Sequence, residues 1–429
     1  MRGGTSRALI FQKKDLPADK TLWPEFFMKA LGVRMTAAGL SAMGVDFPTH
    51  KIAVISPHEG EDADVDYDFF QTDDENYYVD NRGNCGNMSS AVGPYAIDEG
   101  MVEVKEPETI VRIFNTNTKR IIRSRVLVKN GKSSIEGDTR IHGVPGTGSS
   151  IELTFENPGG GLTGKLFPTG NKKDILDVPG YGKLPVTLID CANPVVIFKA
   201  EDAGLKGTEL TELNKNQKFI DIVTYVRGMS AKLCGLVDKW EDAATKSTYM
   251  PFVGIVSKPQ SYKDMDGNFV DEKEMSICCR SFITKMHRAY PIAASIATSA
   301  AACIPGTVAN ECVCPRGSKE DVILGHAGGY TTVNIKTLNI IISPFLMSRF
   351  LFFPYVYADT ALANTSEDKA MPTAIYGSIS KKVISMGLIT AAALIPANPV
   401  PRPAPIPAKN VTIIVISKVI FTTLLPYFI

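Results

Sequence analysis

The tetrad Asn84-Cys85-Gly86-Asn87 is the segment of this chain best suited to chemistry. It leads into Met88-Ser89-Ser90-Ala91-Val92, a run of mostly small residues that reads as a helix, so Cys85 falls at the helix start. The first turn of a helix carries unpaired N–H groups and the positive end of the dipole, which favour negative charge. A sulfur held there can serve as acid, base or nucleophile. Gly86 lets a ligand come close to the same N–H groups, which suit a carboxylate. A buried structural thiol is the alternative for any free cysteine, but it does not require a polar turn around it. Arg2-Gly3-Gly4-Thr5-Ser6 is a second polar glycine turn, and an arginine there suits a bidentate carboxylate contact. Lys51 begins a short apolar run, residues 51–56, where a lysine is ordinarily a solvated strand-end charge. His287 and His326 lie beside small residues; for His326 a satisfied loop histidine and a ligand-binding group are equally good readings.

Elements that could position these groups are legible as alternating apolar patterns. Strands are expected at residues 7–12, 51–56, 64–71, 109–115, 120–129, 150–156, 185–190, 195–199, 254–257 and 275–282. Helices are expected at 208–214 and 216–234. Mixed strands with few long helices indicate an α+β protein of two halves. Residues 290–303 repeat the character of 84–95, a turn followed by tiny residues after a β-rich stretch. Small residues on every side of a helix mean close packing all round, so each should be a central helix enclosed by sheet, and a duplication is the economical explanation. The second helix offers Ala293, Ala294 and Ser295 near its start, and its cysteine, Cys303, lies well inside or beyond it.

At 429 residues the chain suits two domains, and 44% hydrophobic with 21% charged residues is a globular composition. A net charge of +1 excludes a strongly basic nucleic-acid binder but leaves room for a local cationic pocket. Eight cysteines without a C-x-x-C, and no histidine pair at ligand spacing, give neither a disulfide framework nor a zinc site. No apolar stretch of signal-peptide kind precedes Trp23, so free thiols in a reducing cytoplasm are expected. Residues 331–429 differ from the rest, with 11 charged residues and two glycines but ten of the 27 prolines. Residues 338–357 are strongly apolar, 396–407 read as a polyproline linker, and 411–429 are apolar and β-branched. The last segment is at the lower limit for spanning a bilayer. Two readings stay open: a membrane anchor, or a tail not shaped by the fold of the first 330 residues, as a gene-model error would give.

Six segments occur in an order that carries a resemblance: residues 1–6 (MRGGTS), 84–88 (NCGNM), 192–196 (ANPVV), 287–291 (HRAYP), 304–307 (IPGT) and 324–326 (LGH). Over about residues 1–330 the chain resembles the PrpF family of 2-methylaconitate, methylitaconate and aconitate isomerases and oxalomesaconate tautomerases. The resemblance implies a diaminopimelate-epimerase-like α+β fold, two similar lobes each with a curved sheet around a central helix and the site in the cleft. The corresponding domains are 1–190, 191–335 and the unmatched tail 336–429. It further implies movement of a carbon–carbon double bond in a polycarboxylate without a cofactor or metal. The family's catalytic lysine begins a strand, a place Lys51 takes, and its catalytic cysteine lies in the Asn-Cys-Gly-Asn turn, a place Cys85 takes. Arg2, Thr5, Ser6, Asn84, Gly86, Asn87, Met88, Ser295 and His326 form the expected substrate-binding set.

The expected partner is a small polycarboxylate, with no nucleic acid; a homodimer is left open. Departures from the family pattern are Arg7-Ala8 where Lys-Gly is usual, Ala293-Ala294 where Thr-Gly opens the second helix, and Ala327-Gly328-Gly329 after His326. Racemases of the same fold use a cysteine at each helix start; the second helix here offers none, which disfavours that chemistry. An inactive or membrane-tethered relative and a Cys85 hydrolase are the other classes, the latter needing a paired histidine that no spacing identifies.

Overall fold

The computed structural model describes residues 1–32, 50–73, 77–283, 285–316, 320–340 and 411–423. Residues 341–357 of the apolar run 338–357 and the polyproline segment at 396–407 lie outside them. In the first half the strands are β1 (Arg2–Gly3), β2 (Ser6–Arg7), β3 (Leu9–Gln12), β4 (Lys51–Pro57), β5 (Val65–Asp73), β6 (Tyr78–Asp80), β7 (Glu108–Asn115), β8 (Arg120–Lys129), β9 (Lys132–Ser133) and β10 (Ser149–Phe155). Then follow β11 (Asp174–Val178), β12 (Gly182–Cys191), β13 (Asn193–Lys199), β14 (Phe252–Ser257), β15 (Tyr262–Lys263), β16 (Phe269–Val270), β17 (Ile277–Phe282), β18 (Asp321–His326), β19 (Gly329–Ile340) and β20 (Val411–Thr423). The α-helices are α1 (Trp23–Leu31), α2 (Gly86–Asp98), α3 (Gln217–Leu233), α4 (Ala243–Lys246), α5 (Ile292–Cys303) and α6 (Val308–Cys312).

The main sheet runs β11-β12-β13-β14-β17-β18-β19-β20-β10-β8-β7-β5-β4-β3, with β6 added to β5 and β9 to β8. Its topology is a duplication. In the first half β3 is parallel to β4, β4 antiparallel to β5, β5 parallel to β7 and β7 antiparallel to β8. In the second half β13, β14, β17, β18 and β19 repeat that alternation in the same order. The insertions match too: α1 and α3 each follow the first strand of a repeat, and α2 and α5 each connect the third strand to the fourth.

Period-2 side-chain alternation sends each strand's two rows to different places. Ala53 and Ile55 of β4, with Val65, Tyr67 and Phe69 of β5, face α2, whereas Ile52, Val54 and Phe70 pack against Trp23, Phe27 and Leu31 of α1. In the second half Val195 and Ile197 share the cluster that holds α5, while Val196 and Phe198 pack on α3 through Phe219, Ile222 and Val226. Both central helices belong to one buried cluster, enclosed by the inner faces of both repeats. Every residue from Gly86 to Pro94 is buried, as is every residue from Ile292 to Ala302, which is why both runs are made of small side chains.

Three expectations change. The pair β11–β12, placed by sequence in the first lobe, hydrogen-bonds to β13 and so joins the second half. The expected helix at 208–214 is only a 3-10 turn, Thr211–Lys215. Residues of the tail enter the sheet: 336–340 end β19, and β20 pairs antiparallel with β10 from Ser149↔Thr423 to Phe155↔Ser417. The segment considered as an anchor thus begins as a strand, and no helix among the described residues is long and apolar enough to cross a membrane.

Candidate active site

The starts of α2 and α5 meet. A Cβ placed on Gly86 would lie 2.7 Å from Ile292 Cγ2 and 3.4 Å from the Ala293 nitrogen, so glycine is what lets the two helix N-termini approach this closely. They open into a cleft. First-turn N–H groups of both helices, at Gly86, Asn87, Ile292 and Ala293, lie at residues lining it.

Cys85 is the N-cap residue of α2, half-buried, in extended conformation at φ −104°. Its turn is fixed from the other repeat. The Asn84 N–H donates to Asn193 Oδ1 at 2.9 Å, and Asn193 Nδ2 donates to the Asn84 carbonyl at 2.7 Å. Below it, Asn84 Oδ1 accepts from Ser89 Oγ (3.3 Å) and Asn115 Nδ2 (3.4 Å). On the other side the glycine turn packs so tightly on α2 that a Cβ on Gly3 would sit 2.2 Å from the Asn87 carbonyl oxygen. Asn87 Nδ2 donates to Thr5 Oγ1 at 3.0 Å and Ser6 Oγ at 3.4 Å, and Ser6 Oγ stands 4.0 Å from Cys85 Sγ.

Lys51 is the first residue of β4, buried at 6% exposure and opposite Gln71 in register. It ends the inner row that continues through Ala53 and Ile55, so the strand aims it at the cleft. Burial lowers its pKa from the ordinary lysine value, partly countered by the charge interaction with Cys85. Gln71 Nε2 donates to the His50 carbonyl at 2.7 Å. Asp80, also in the wall, is held by Arg82 through two bonds, Nε to Oδ1 at 3.0 Å and Nη2 to Oδ2 at 2.7 Å, and the same Nη2 donates to the Lys246 carbonyl.

The second repeat contributes one polar side chain that sequence reasoning did not place in the site. His287 lines the cleft, its Nδ1 accepts the Ala289 N–H at 3.1 Å, and its Nε2–H is thereby left to donate to a ligand. Burial, with the nearby Lys51 charge, pushes its pKa down to about 4, so the ring is neutral at pH 7. His287 and Asn193 both fall within segments that carry the family resemblance, which was the available signal.

Of the expected site residues, Ser6, Lys51, Asn84, Cys85, Gly86 and Asn87 line the cleft. Thr5 is one step behind, holding Asn87. Four others are engaged elsewhere and do not line it. Arg2 Nε donates to the Gly4 carbonyl at 3.0 Å, Met88 is buried in the central core, and the Ser295 hydroxyl donates to the Pro291 carbonyl at 3.1 Å. His326 Nδ1 accepts the Gly328 N–H, its Nε2 lies 2.9 Å from Thr331 Oγ1, and burial pushes its pKa to about 3: it is the satisfied histidine of the two readings. Among the described residues no cluster of three His, Cys, Asp or Glu side chains could hold a metal ion.

The chain has relatives among known proteins. The family model described as "PrpF protein" matches residues 1–349, past the residue 330 at which the sequence motifs stop. The chain is 37% identical over 339 residues to 3-methylitaconate isomerase of Eubacterium barkeri, covering 78% of this chain and 88% of that protein. It is 32% identical over 354 residues to 2-methyl-aconitate isomerase of Shewanella oneidensis, covering 79% and 88%. A crystal structure of methylitaconate-delta-isomerase superposes with a TM-score of 0.67 at 35% identity, over 78% of this chain and 87% of that one. The expected diaminopimelate-epimerase-like architecture is therefore the one present, and the chain belongs to the PrpF family.

Proposed function

We propose that this protein is an isomerase that shifts a carbon–carbon double bond in an itaconate-like or aconitate-like polycarboxylate, using its own side chains and no cofactor. The observation that carries this reading is that Lys51 and Cys85 line one cleft into which the starts of α2 and α5 open. Its relatives are named as isomerases of methylitaconate, methylaconitate and oxalomesaconate.

In the forward direction one of the pair removes a proton from the saturated carbon next to a carboxylate. The C–H electrons become the new double bond, the old double bond moves onto the carboxylate-bearing system as an extended enolate, and the second group returns a proton to the far carbon. Proton and double bond each move across the allylic unit, with no net change in composition. Burial lowers the pKa of Lys51, the direction a general base requires, and Cys85 stands in the same cleft to complete the transfer. Each group that accepts a proton in one direction donates it in the other. Negative charge grows on the carboxylate during the step, where the helix N–H groups and His287 Nε2–H support it. All eight cysteines are free thiols, which fits a cytoplasmic enzyme.

Proton NMR in heavy water tests this with methylitaconate and the aconitates. Deuterium should enter the allylic carbon as the double bond moves, and Cys85→Ser and Lys51→Ala should each abolish it. Folded wild-type protein without exchange on any of these acids would refute the reading.

A further inference from the structure

The duplication allows the two halves of the cleft to be compared position by position. Lys51 is the first residue of the second strand of its repeat, and the corresponding residue of the other repeat is Phe252. Gln71 stands opposite Lys51; the antiparallel register that pairs Val253 with Phe282 brings Ile283 to the corresponding position beside Phe252. Cys85 caps α2, and Pro291 holds the cap position of α5. The cationic, amide and thiol positions of the first repeat are thus phenylalanine, isoleucine and proline in the second. All six line the same cleft.

Neighbours extend the contrast. Met250 and Ile292 add to the second repeat's side, and Tyr249, also there, turns its hydroxyl to the Thr72 carbonyl at 2.9 Å. Among the described lining residues Lys51 is the one cationic side chain, and the one carboxylate, Asp80, is held by Arg82. The two helix starts suit two substrate carboxylates. A third lying on Phe252, Ile283 and Met250 would meet hydrocarbon, at a desolvation cost with no cation to offset it; the polar group of that side, His287, is taken up by the reacting carboxylate.

We propose that the substrate's remaining substituent is an apolar arm longer than methyl, so that this enzyme works on alkyl-substituted itaconate-type dicarboxylates in preference to tricarboxylates. This rests on the isomerase reading above. The arm lies on Phe252, Ile283 and Met250, while the reacting carbons stay beside Lys51 and Cys85.

The test is kcat/KM for deuterium exchange on methyl-, butyl- and hexylitaconate and on cis- and trans-aconitate. Each methylene buried against the wall should raise kcat/KM about fourfold, so butyl should exceed methyl by roughly 60-fold. Ile283→Arg places a cation on the apolar side and should swing the aconitate-to-butylitaconate ratio at least tenfold toward aconitate, whereas a general loss of folded protein would lower both together. A flat alkyl series, or aconitate turned over as well as butylitaconate by the wild type, overturns the proposal and leaves the isomerase reading standing. No exchange on any acid overturns both.

Discussion

Gly86→Ala isolates the contact between the two helix starts from the chemistry of the side chains around them. The glycine has no left-handed φ, so alanine can take its backbone conformation, and helix propensity alone predicts a gain of up to ~1 kcal/mol. The added methyl, however, lands 2.7 Å from Ile292 Cγ2 and 2.8 Å from Ile292 Cβ. Carbon atoms pack at about 3.5–4.0 Å, so the start of α5 must retreat by about 1 Å. Overpacking of this kind costs ~1–3 kcal/mol, leaving a net stability change of about 0–2 kcal/mol. Catalysis should suffer far more, because a displacement of about 1 Å in a positioned site costs on the order of 100-fold. The assay is kcat/KM for deuterium exchange beside a urea denaturation curve. A second change, Ile292→Gly, moves the glycine to the facing helix and should recover part of the lost rate. Wild-type kcat/KM in folded Gly86→Ala would refute the claim that these helix starts must touch.

Other expectations concern the supports of the site. Asn193→Ala leaves the buried Asn84 N–H and carbonyl without their partner and should destabilise by ~2–4 kcal/mol with a fall in kcat; a urea midpoint matching wild type would contradict this. Lys51→Met should abolish exchange yet leave the protein at least as stable at pH 7. Burial depresses the lysine pKa, so the unfolded chain binds the proton more readily, and deletion removes that penalty; a lower melting temperature counts against the argument. His326, pushed to about 3 against an ordinary ~6.5, is neutral when folded, so its contribution is intact above pH ~6.5 and declines as pH falls toward 3. Comparing denaturation at pH 7 and 4.5, wild type should lose about 3 kcal/mol more than His326→Gln, and equal losses would show that this histidine is not held neutral.

What the sequence made legible follows from locality. Strand alternation is local, and the inner row Val65, Tyr67 and Phe69 was readable from period 2 alone, whereas the continuous apolar run at 51–56 showed a strand without showing which row faces inward. The small-residue runs revealed both central helices because enclosure on all sides leaves no other composition. Helix α1 was not anticipated, although Pro24 in its first turn, the Glu25–Lys29 pair and Gly32 at φ 73° are ordinary boundary signals. The helix expected at 208–214 failed because acidic side chains bind the backbone instead: Glu209 takes the Lys206 and Gly207 N–H groups and Glu212 takes that of Leu210. In the site, Cys85 and its turn were legible, and Lys51 gained its role through family resemblance. Asn193 and His287 act on residues more than a hundred positions away, which no spacing records. Arg2, Ser295 and His326 had the right chemistry, but Ser295 and His326 are satisfied by groups within five residues of themselves, and the Arg2 Nε is engaged by the Gly4 carbonyl.

Strand β20 gives the chain a closing step in time as well as in space. It lies between β19 and β10, so the two repeats become one sheet only when β20 joins. During synthesis both neighbours wait with unpaired N–H and C=O groups along one side, the geometry most open to pairing with another chain. The pairing of β20 with β10 joins distant parts of the chain, a kind of contact that is slow to form. A ribosome that stalls before residue 411, or a protease that nicks the chain upstream of β20, would release a protein with its central helices formed and its sheet split open at the middle.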